Sequence, residues 1–257
     1  MKDREVVNSF VNYLRDNRYP GLHIERYPED KNDGEIDAIA GQFAIEHTSI
    51  DPLPNQRRDA DWFLKAAGGL ENELPKLPFQ LNITLEYSVV TRGQKWLKIR
   101  EAIKAWITNA SHKLPYGRHV LDEVPGVPFR LYIRKEKDRL EGIFFARRDV
   151  PKDDCLSKRI RQLCQSKANK LSKYQKPGTT TILLVERYSI ALMSGLSLYN
   201  AIKNAYPEGP PPGFDEIWIA DTSIASSTIE TSASIKFINI YKQGKYKSYK
   251  NEIQSIL

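Results

Sequence analysis

Residues that form disulfides or bind soft metals are scarce in this chain of 257 residues, which has two cysteines and four histidines. Cys155 and Cys164 lie nine positions apart in one predicted helix, too far along it to bridge and too few for a zinc site. No apolar run approaches the roughly 18 residues that a membrane-spanning helix needs. The amino-terminal residues are charged and lack the apolar centre of a signal peptide, so we expect a cytoplasmic protein with no membrane contact.

Several motifs of common enzyme classes are also missing. The chain has no glycine-rich phosphate loop, no Gly-x-Ser-x-Gly, no His-Glu-x-x-His and no cysteine or histidine spacing typical of a metal finger. Its 28% of charged residues, with 15 prolines and 14 glycines, are ordinary for a globular domain and exclude a disordered or collagenous chain.

Charge is distributed unevenly along the chain. Residues 1–50 carry a net charge of −4, whereas residues 92–120 and 151–180 each carry +6, and the whole chain carries +7. An acidic segment followed by basic ones indicates a cation-binding pocket beside a surface that binds a polyanion. Lysine-rich solvated helix faces are the alternative explanation.

Hydrophobic periodicity predicts an α/β fold with a mixed central β-sheet flanked by helices. We expect one domain over residues 1–257, with insertions. The predicted helices cover about 3–17, 56–74 with a possible break at Gly68, 95–109, 156–174 and 196–205. The predicted strands cover about 22–26, 36–40, 42–49, 79–87, 129–134, 140–147, 180–185 and 214–220, with a final pair in 234–249.

The most informative segment is a predicted hairpin that holds Asp37 and Glu46. If Ala40 and Gly41 form its turn, Asp37 pairs with Ala44, and Asp37 and Glu46 are diagonal neighbours on one face. Convergent carboxylates on rigid strands suit a hard divalent cation such as Mg²⁺ or Mn²⁺. The alternative is a surface hairpin whose acids point to solvent, but the apolar run before Glu46 favours a strand inside a sheet.

This segment resembles the PD-(D/E)XK nuclease superfamily in its motif and in its order of helix, three strands, helix and strand. The resemblance covers about the first 90 residues and implies a restriction-endonuclease-like core. It makes Asp37 the first acid, Glu46 the second, and the backbone carbonyl of His47 a further metal ligand. The His47 side chain lies on the opposite strand face, where we expect it to pack or hydrogen-bond.

The family motif ends in a lysine, and here Thr48 stands in that position. In the family the lysine helps to activate the attacking water and offsets phosphate charge, whereas threonine offers only a hydroxyl. A lysine from another element can take this role in such nucleases. The candidates are Lys65, Lys167 and Lys170, of which Lys170 is preferred because it lies on the basic helix.

Six residues are candidates for contacts with the nucleic-acid backbone. Gln56 resembles a glutamine that RecB-like nucleases carry after the triplet, although glutamine is also common where a helix begins. The others are basic residues near a helix start or on the basic helix, where exposed cations are equally common: Arg57, Arg58, Lys158, Arg161 and Lys173.

The sequence therefore predicts a Mg²⁺- or Mn²⁺-dependent deoxyribonuclease that acts on double-stranded DNA, as a possible homodimer. The first alternative is a nucleic-acid-binding protein on the same fold that has lost catalysis. The second is a regulatory or protein-interaction subunit, for example in a restriction or phage-defence system.

Overall fold

A computed structural model describes residues 3–32, 34–137, 141–148, 150, 155–188, 193–222, 235–242 and 244–249. Their contacts group the chain into two compact units, one formed by Met1–Pro52 with Asp153–Leu257 and the other by Leu53–Lys152. The second unit is thus inserted between two halves of the first in sequence, and a single domain with insertions stays a prediction. The fold is mixed α/β, as predicted, but it has two mixed sheets where one central sheet was expected.

The first unit is built on a six-stranded sheet with helices on both faces. In chain order its helices and strands are α1 (Asp3–Asn17), β1 (Ala38–Ala40), β2 (Phe43–Ser49), α5 (Leu156–Leu171), β7 (Thr180–Arg187), α6 (Gly195–Ala205), β8 (Glu216–Asp221), β9 (Lys236–Lys242) and β10 (Lys245–Tyr246).

The second unit holds the intervening elements α2 (Gln56–Ala67), α3 (Leu70–Glu73), β3 (Gln80–Glu86), α4 (Trp96–Ala110), β4 (Gly117–Leu121), β5 (Leu131–Glu136) and β6 (Gly142–Arg148). Its four strands lie in the order β4-β5-β3-β6. The sequence predicts β5 and β6 as a hairpin, which is wrong, because β3 lies between them, antiparallel to β5 and parallel to β6.

The strands of the first unit lie in the order β1-β2-β7-β8-β9-β10. β2, β7 and β8 run parallel to one another, and the remaining pairs are antiparallel. The sequence predicts that α2 packs against the acidic hairpin and that β3 joins the same sheet. Instead α5 packs against β2, and β7 is the strand that pairs with it.

Two apolar clusters hold this sheet between its helices. On one face Phe10 and the other buried residues of α1 pack on Ile45. On the other face α5 and α6 pack on Ala44 and Leu183. Because both faces are covered, β7 is apolar at consecutive positions from Ile182 to Val185, as expected for a central parallel strand.

The acidic hairpin has a different register from the predicted one. Ala40 pairs with Phe43 and Ala38 with Ile45, so Gly41 and Gln42 form the turn. Gly41 has a φ of +52°, a conformation that glycine adopts without steric cost. The predicted turn is therefore displaced by one residue, but a register shift of two leaves Asp37 and Glu46 on the same face.

No helix within the described ranges is both long and apolar enough to cross a bilayer.

Candidate functional site: a buried carboxylate and two lysines

Glu46 is the most deeply buried acid among the described residues of the first unit. It lies in the middle of β2, between β1 and β7, and its side chain has no exposed surface. Burying a carboxylate is costly unless cations or hydrogen-bond donors compensate it. The residues around Glu46 therefore determine whether it can remain ionised.

Two lysines of α5 supply that compensation. Lys167 Nζ donates a hydrogen bond to Oε1 of Glu46, and Lys170 Nζ lies 3.1 Å from the same oxygen. The two lysines are three positions apart, so they project from one face of the helix. Oε2 of Glu46 is buried and has no hydrogen-bond partner among the described residues.

Asp37 lies just before β1 and is anchored to β2 by the backbone. Its Oδ2 accepts a hydrogen bond of 2.5 Å from the His47 amide. Burial and, to a smaller extent, the neighbouring charge of Glu46 raise the pKa of Asp37 to about 7, against the opposing effect of that hydrogen bond. A cation beside Asp37 would therefore stabilise its ionised form.

A second set of contacts ties the segment before β1 to the end of α5. Tyr174 donates a 2.6 Å hydrogen bond to Oε2 of Glu35, while Lys170 also donates to the Glu35 carbonyl oxygen at 3.0 Å. The hydrogen bond from Tyr174 lowers the pKa of Glu35. Lys173 Nζ lies 3.7 Å from Oε1 of Glu35. These contacts fix Lys170 between two parts of the site.

Thr48 and His47 point to opposite faces of β2. Thr48 shares the face of Glu46, two residues further on, and is buried. The His47 ring is buried on the α1 face, as expected, with Nδ1 3.9 Å from Asp3 Oδ1 and Nε2 3.5 Å from Glu186 Oε2. Asp3, His47 and Glu186 offer ligand atoms that all lie within 4.8 Å of one another, and they could hold a metal ion.

The structure divides the predicted nucleic-acid contacts between the two units. Gln56, Arg57 and Arg58 lie on α2 of the second unit, where Arg58 pairs with Asp59 at 3.2 Å and stacks over Trp62. These three residues therefore belong to a different unit from the acidic site.

The predicted contacts on α5 have different surroundings. Lys158 is exposed, whereas Arg161 donates two hydrogen bonds to the Ala205 carbonyl oxygen, at 3.0 and 2.6 Å from Nε and Nη2. This contact ties α5 to the end of α6. Lys173 lies beside Glu35, at the edge of the acidic site. Contact of all three with nucleic acid stays a prediction.

Sequence reasoning ranks Lys170 above Lys167, and the structure brings both to Glu46. A signal for Lys167 was present, because it shares a helical stripe with the buried Ile160, Cys164 and Leu171 at spacings of four, three and four. A lysine inside an apolar stripe indicates a buried partner. Asp3 and Glu186 were not singled out, since nothing in the sequence connects α1, β2 and β7.

Comparison of the chain with protein-family models, with curated proteins and with solved structures gives no match. Only the geometry of the site therefore bears on the function.

Proposed function

We propose that the chain is a metal-dependent nuclease that hydrolyses phosphodiester bonds in DNA, with Asp37 and Glu46 as its metal-binding carboxylates. The observation that carries this proposal is the hydrogen bond from Lys167 to Glu46. It supplies from α5 the ammonium group that the PD-(D/E)XK motif places where this chain has Thr48.

The order of elements around the site supports a restriction-endonuclease-like core. Within the first unit the chain runs α1, β1, β2, α5 and β7, and an isolated bridge joins Arg26 to Ile39 before the hairpin. This is the order of helix, three strands, helix and strand that the resemblance implies, if the segment at Arg26 takes the place of the first strand. The second unit lies between β2 and α5 in sequence.

The residues present fit a hard divalent cation such as Mg²⁺ or Mn²⁺. Asp37 and Glu46 offer carboxylate oxygens, the donors that such ions prefer. Oε2 of Glu46 is buried and lacks a partner among the described residues, which leaves an acceptor for an ion to bind. Burial and the nearby charge of Glu46 raise the pKa of Asp37 to about 7, and a bound cation would favour its ionised form.

Each group of the site has a role in hydrolysis. A bound divalent ion would lower the pKa of a water molecule and stabilise the charge that develops on phosphorus. Lys167 and Lys170 hold positive charge beside Glu46, where it offsets the charge of the scissile phosphate. The water oxygen forms a bond to phosphorus as the bond to the bridging oxygen breaks, the water gives up a proton to solvent, and the leaving oxygen takes one from solvent. Tyr174 and Glu35 keep Lys170 in place.

The test is cleavage of supercoiled and linear DNA by the purified full chain in Mg²⁺, Mn²⁺ or EDTA. We expect cleavage that needs the metal and is lost in the Asp37→Ala/Glu46→Ala variant. Lys203→Met is a matched control, because Lys203 is an exposed lysine of α6 that is not among the predicted nucleic-acid contacts. It should leave metal-dependent cleavage in place.

Three other results would reject this function. Cleavage retained in the double variant would place the activity elsewhere. Intact DNA under every metal condition, together with a gel shift that weakens as salt rises, would favour a DNA-binding protein without catalysis. Intact DNA with no shift would favour a regulatory or protein-interaction role.

A further inference from the structure

The His47 imidazole lies on the face of β2 opposite Glu46, and its environment is unusual for a histidine. The ring is buried beneath the first turn of α1, with 3% of the side chain exposed. Its Nε2 has no hydrogen-bond partner among the described residues. A buried ring nitrogen without a partner is costly, so this atom indicates that something further binds there.

The distance between His47 and Glu186 suits a shared metal ion better than a hydrogen bond. Nε2 and Oε2 are 3.5 Å apart, beyond the usual length of an N–H···O bond. Two donors that each lie about 2.0–2.1 Å from one tetrahedral ion are roughly 3.4 Å apart. The two atoms are therefore spaced like neighbouring ligands of one ion.

Glu186 has the surroundings of a metal-binding carboxylate. Its Oε2 accepts a 2.5 Å hydrogen bond from Ser49, and its Oε1 accepts one of 2.8 Å from Thr222. These hydroxyl groups orient both oxygens, as outer groups commonly do for ligating carboxylates.

Asp3 completes the set from the first turn of α1. One ligand atom from each of Asp3, His47 and Glu186 lies within 4.8 Å of the other two, and the exposed side chain of Asp3 leaves a path to solvent. With a neutral imidazole, the two carboxylates carry a charge of −2 that one divalent ion balances. One imidazole nitrogen and two carboxylates are a donor set typical of zinc, whereas magnesium prefers oxygen alone.

We propose that Asp3, His47 and Glu186 bind a transition-metal ion of the zinc class, with water in the remaining position. This site joins the start of α1 to β2 and β7 and lies on the other strand face from Asp37 and Glu46. It does not depend on the proposed nuclease activity, and we expect its ion to stabilise the first unit.

The test measures Zn²⁺ binding to the full chain by calorimetry after treatment with a chelator. It is done in an Asp37→Asn/Glu46→Gln background, so that the proposed nuclease site contributes nothing. We expect one Zn²⁺ per chain, a higher melting temperature with Zn²⁺, and a visible Co²⁺ spectrum typical of tetrahedral coordination. In that background His47→Gln should weaken Zn²⁺ binding by more than about 100-fold, and Ser49→Ala by about 10-fold.

The controls keep the test decisive if the His47 variant does not fold. His23→Gln replaces an exposed histidine and should leave Zn²⁺ binding unchanged. Asp3→Asn alters an exposed side chain and should weaken binding without unfolding the chain. Absence of Zn²⁺ binding, or unchanged affinity in Asp3→Asn, would overturn the proposal and leave His47 as a buried histidine beside two carboxylates.

Discussion

Lys167 and Glu46 are joined by a hydrogen bond between the ammonium group on α5 and the buried carboxylate on β2. They are 121 residues apart in the chain, with the whole second unit between them. Because a buried carboxylate needs a compensating cation, this contact matters both for stability and for the proposed chemistry.

Replacing Lys167 with methionine should slow DNA cleavage by about 100-fold, because a positive charge beside the scissile phosphate is lost. The initial rate of nicking of supercoiled DNA at saturating Mg²⁺ measures this effect. Lys170→Met should show a smaller loss, since its ammonium lies 3.1 Å from Oε1 of Glu46 and shares its hydrogen bonds with Glu35. Lys203→Met should cut at the wild-type rate, and an equal loss in that control would contradict a specific role for Lys167.

The same lysines should stabilise the fold. Lys167→Met/Lys170→Met leaves the charge of Glu46 uncompensated and should lower the free energy of unfolding by about 3 kcal/mol. Adding Glu46→Gln removes that charge and should restore most of the loss. Urea denaturation in EDTA gives the three values. If the triple variant is no more stable than the double variant, the lysines do not act through Glu46.

Asp37 should make the stability of the metal-free protein depend on pH. Its pKa is about 7 in the folded chain against an ordinary value of 3.8, so the folded chain holds a proton that the unfolded chain releases. Stability from this group therefore falls as the pH rises from about 4 to about 7, and stays low above that range.

Asp37→Asn removes this effect, which gives the measurement. Near pH 4 the titration of Asp37 should contribute little to the difference in free energy of unfolding between the variant and the wild type. As the pH rises to about 7, the free energy of unfolding of the variant should rise relative to that of the wild type. Urea denaturation in EDTA at several pH values tests it, and a difference that does not change with pH would refute the assignment. Mg²⁺ should stabilise the wild type more at pH 8 than at pH 5, because the ion competes with the proton.

In the second unit, Lys135 closes the carboxyl end of α4. Its buried ammonium donates to the carbonyl oxygens of Ser111, His112 and Leu114 at 2.9, 3.1 and 2.7 Å. Lys135→Met removes these three hydrogen bonds and should lower the free energy of unfolding by about 3 kcal/mol. Lys137→Met, at an exposed lysine two residues further on, is the matched control. Thermal denaturation measures both variants, and equal midpoints would contradict this role.

Local patterns in the sequence were sufficient for much of the fold. The helical spacing of Val6, Phe10 and Leu14 predicts α1, and the strict alternation from Leu81 to Leu85 predicts β3, as the structure confirms. The position of Gly68 predicts the break between α2 and α3. These features depend on contacts between near neighbours in sequence, which periodicity reports directly.

The remaining features depend on contacts between distant segments. Periodicity does not distinguish the observed turn at Gly41 and Gln42 from one displaced by a residue, because the buried face is the same for both registers. Nor does it show that β2 pairs with β7 after an inserted unit. Lys167 reaches Glu46 only through that pairing, since it brings α5 over the acidic strand.

The most direct test of the central claim compares two buried glutamates on opposite faces of the same sheet. The measurement is the rate at which Glu46→Gln and Glu186→Gln nick supercoiled DNA in Mg²⁺, beside the wild type and an EDTA control. We expect no cleavage above the EDTA background for Glu46→Gln and clear metal-dependent cleavage for Glu186→Gln. Cleavage by Glu46→Gln at the wild-type rate would contradict it.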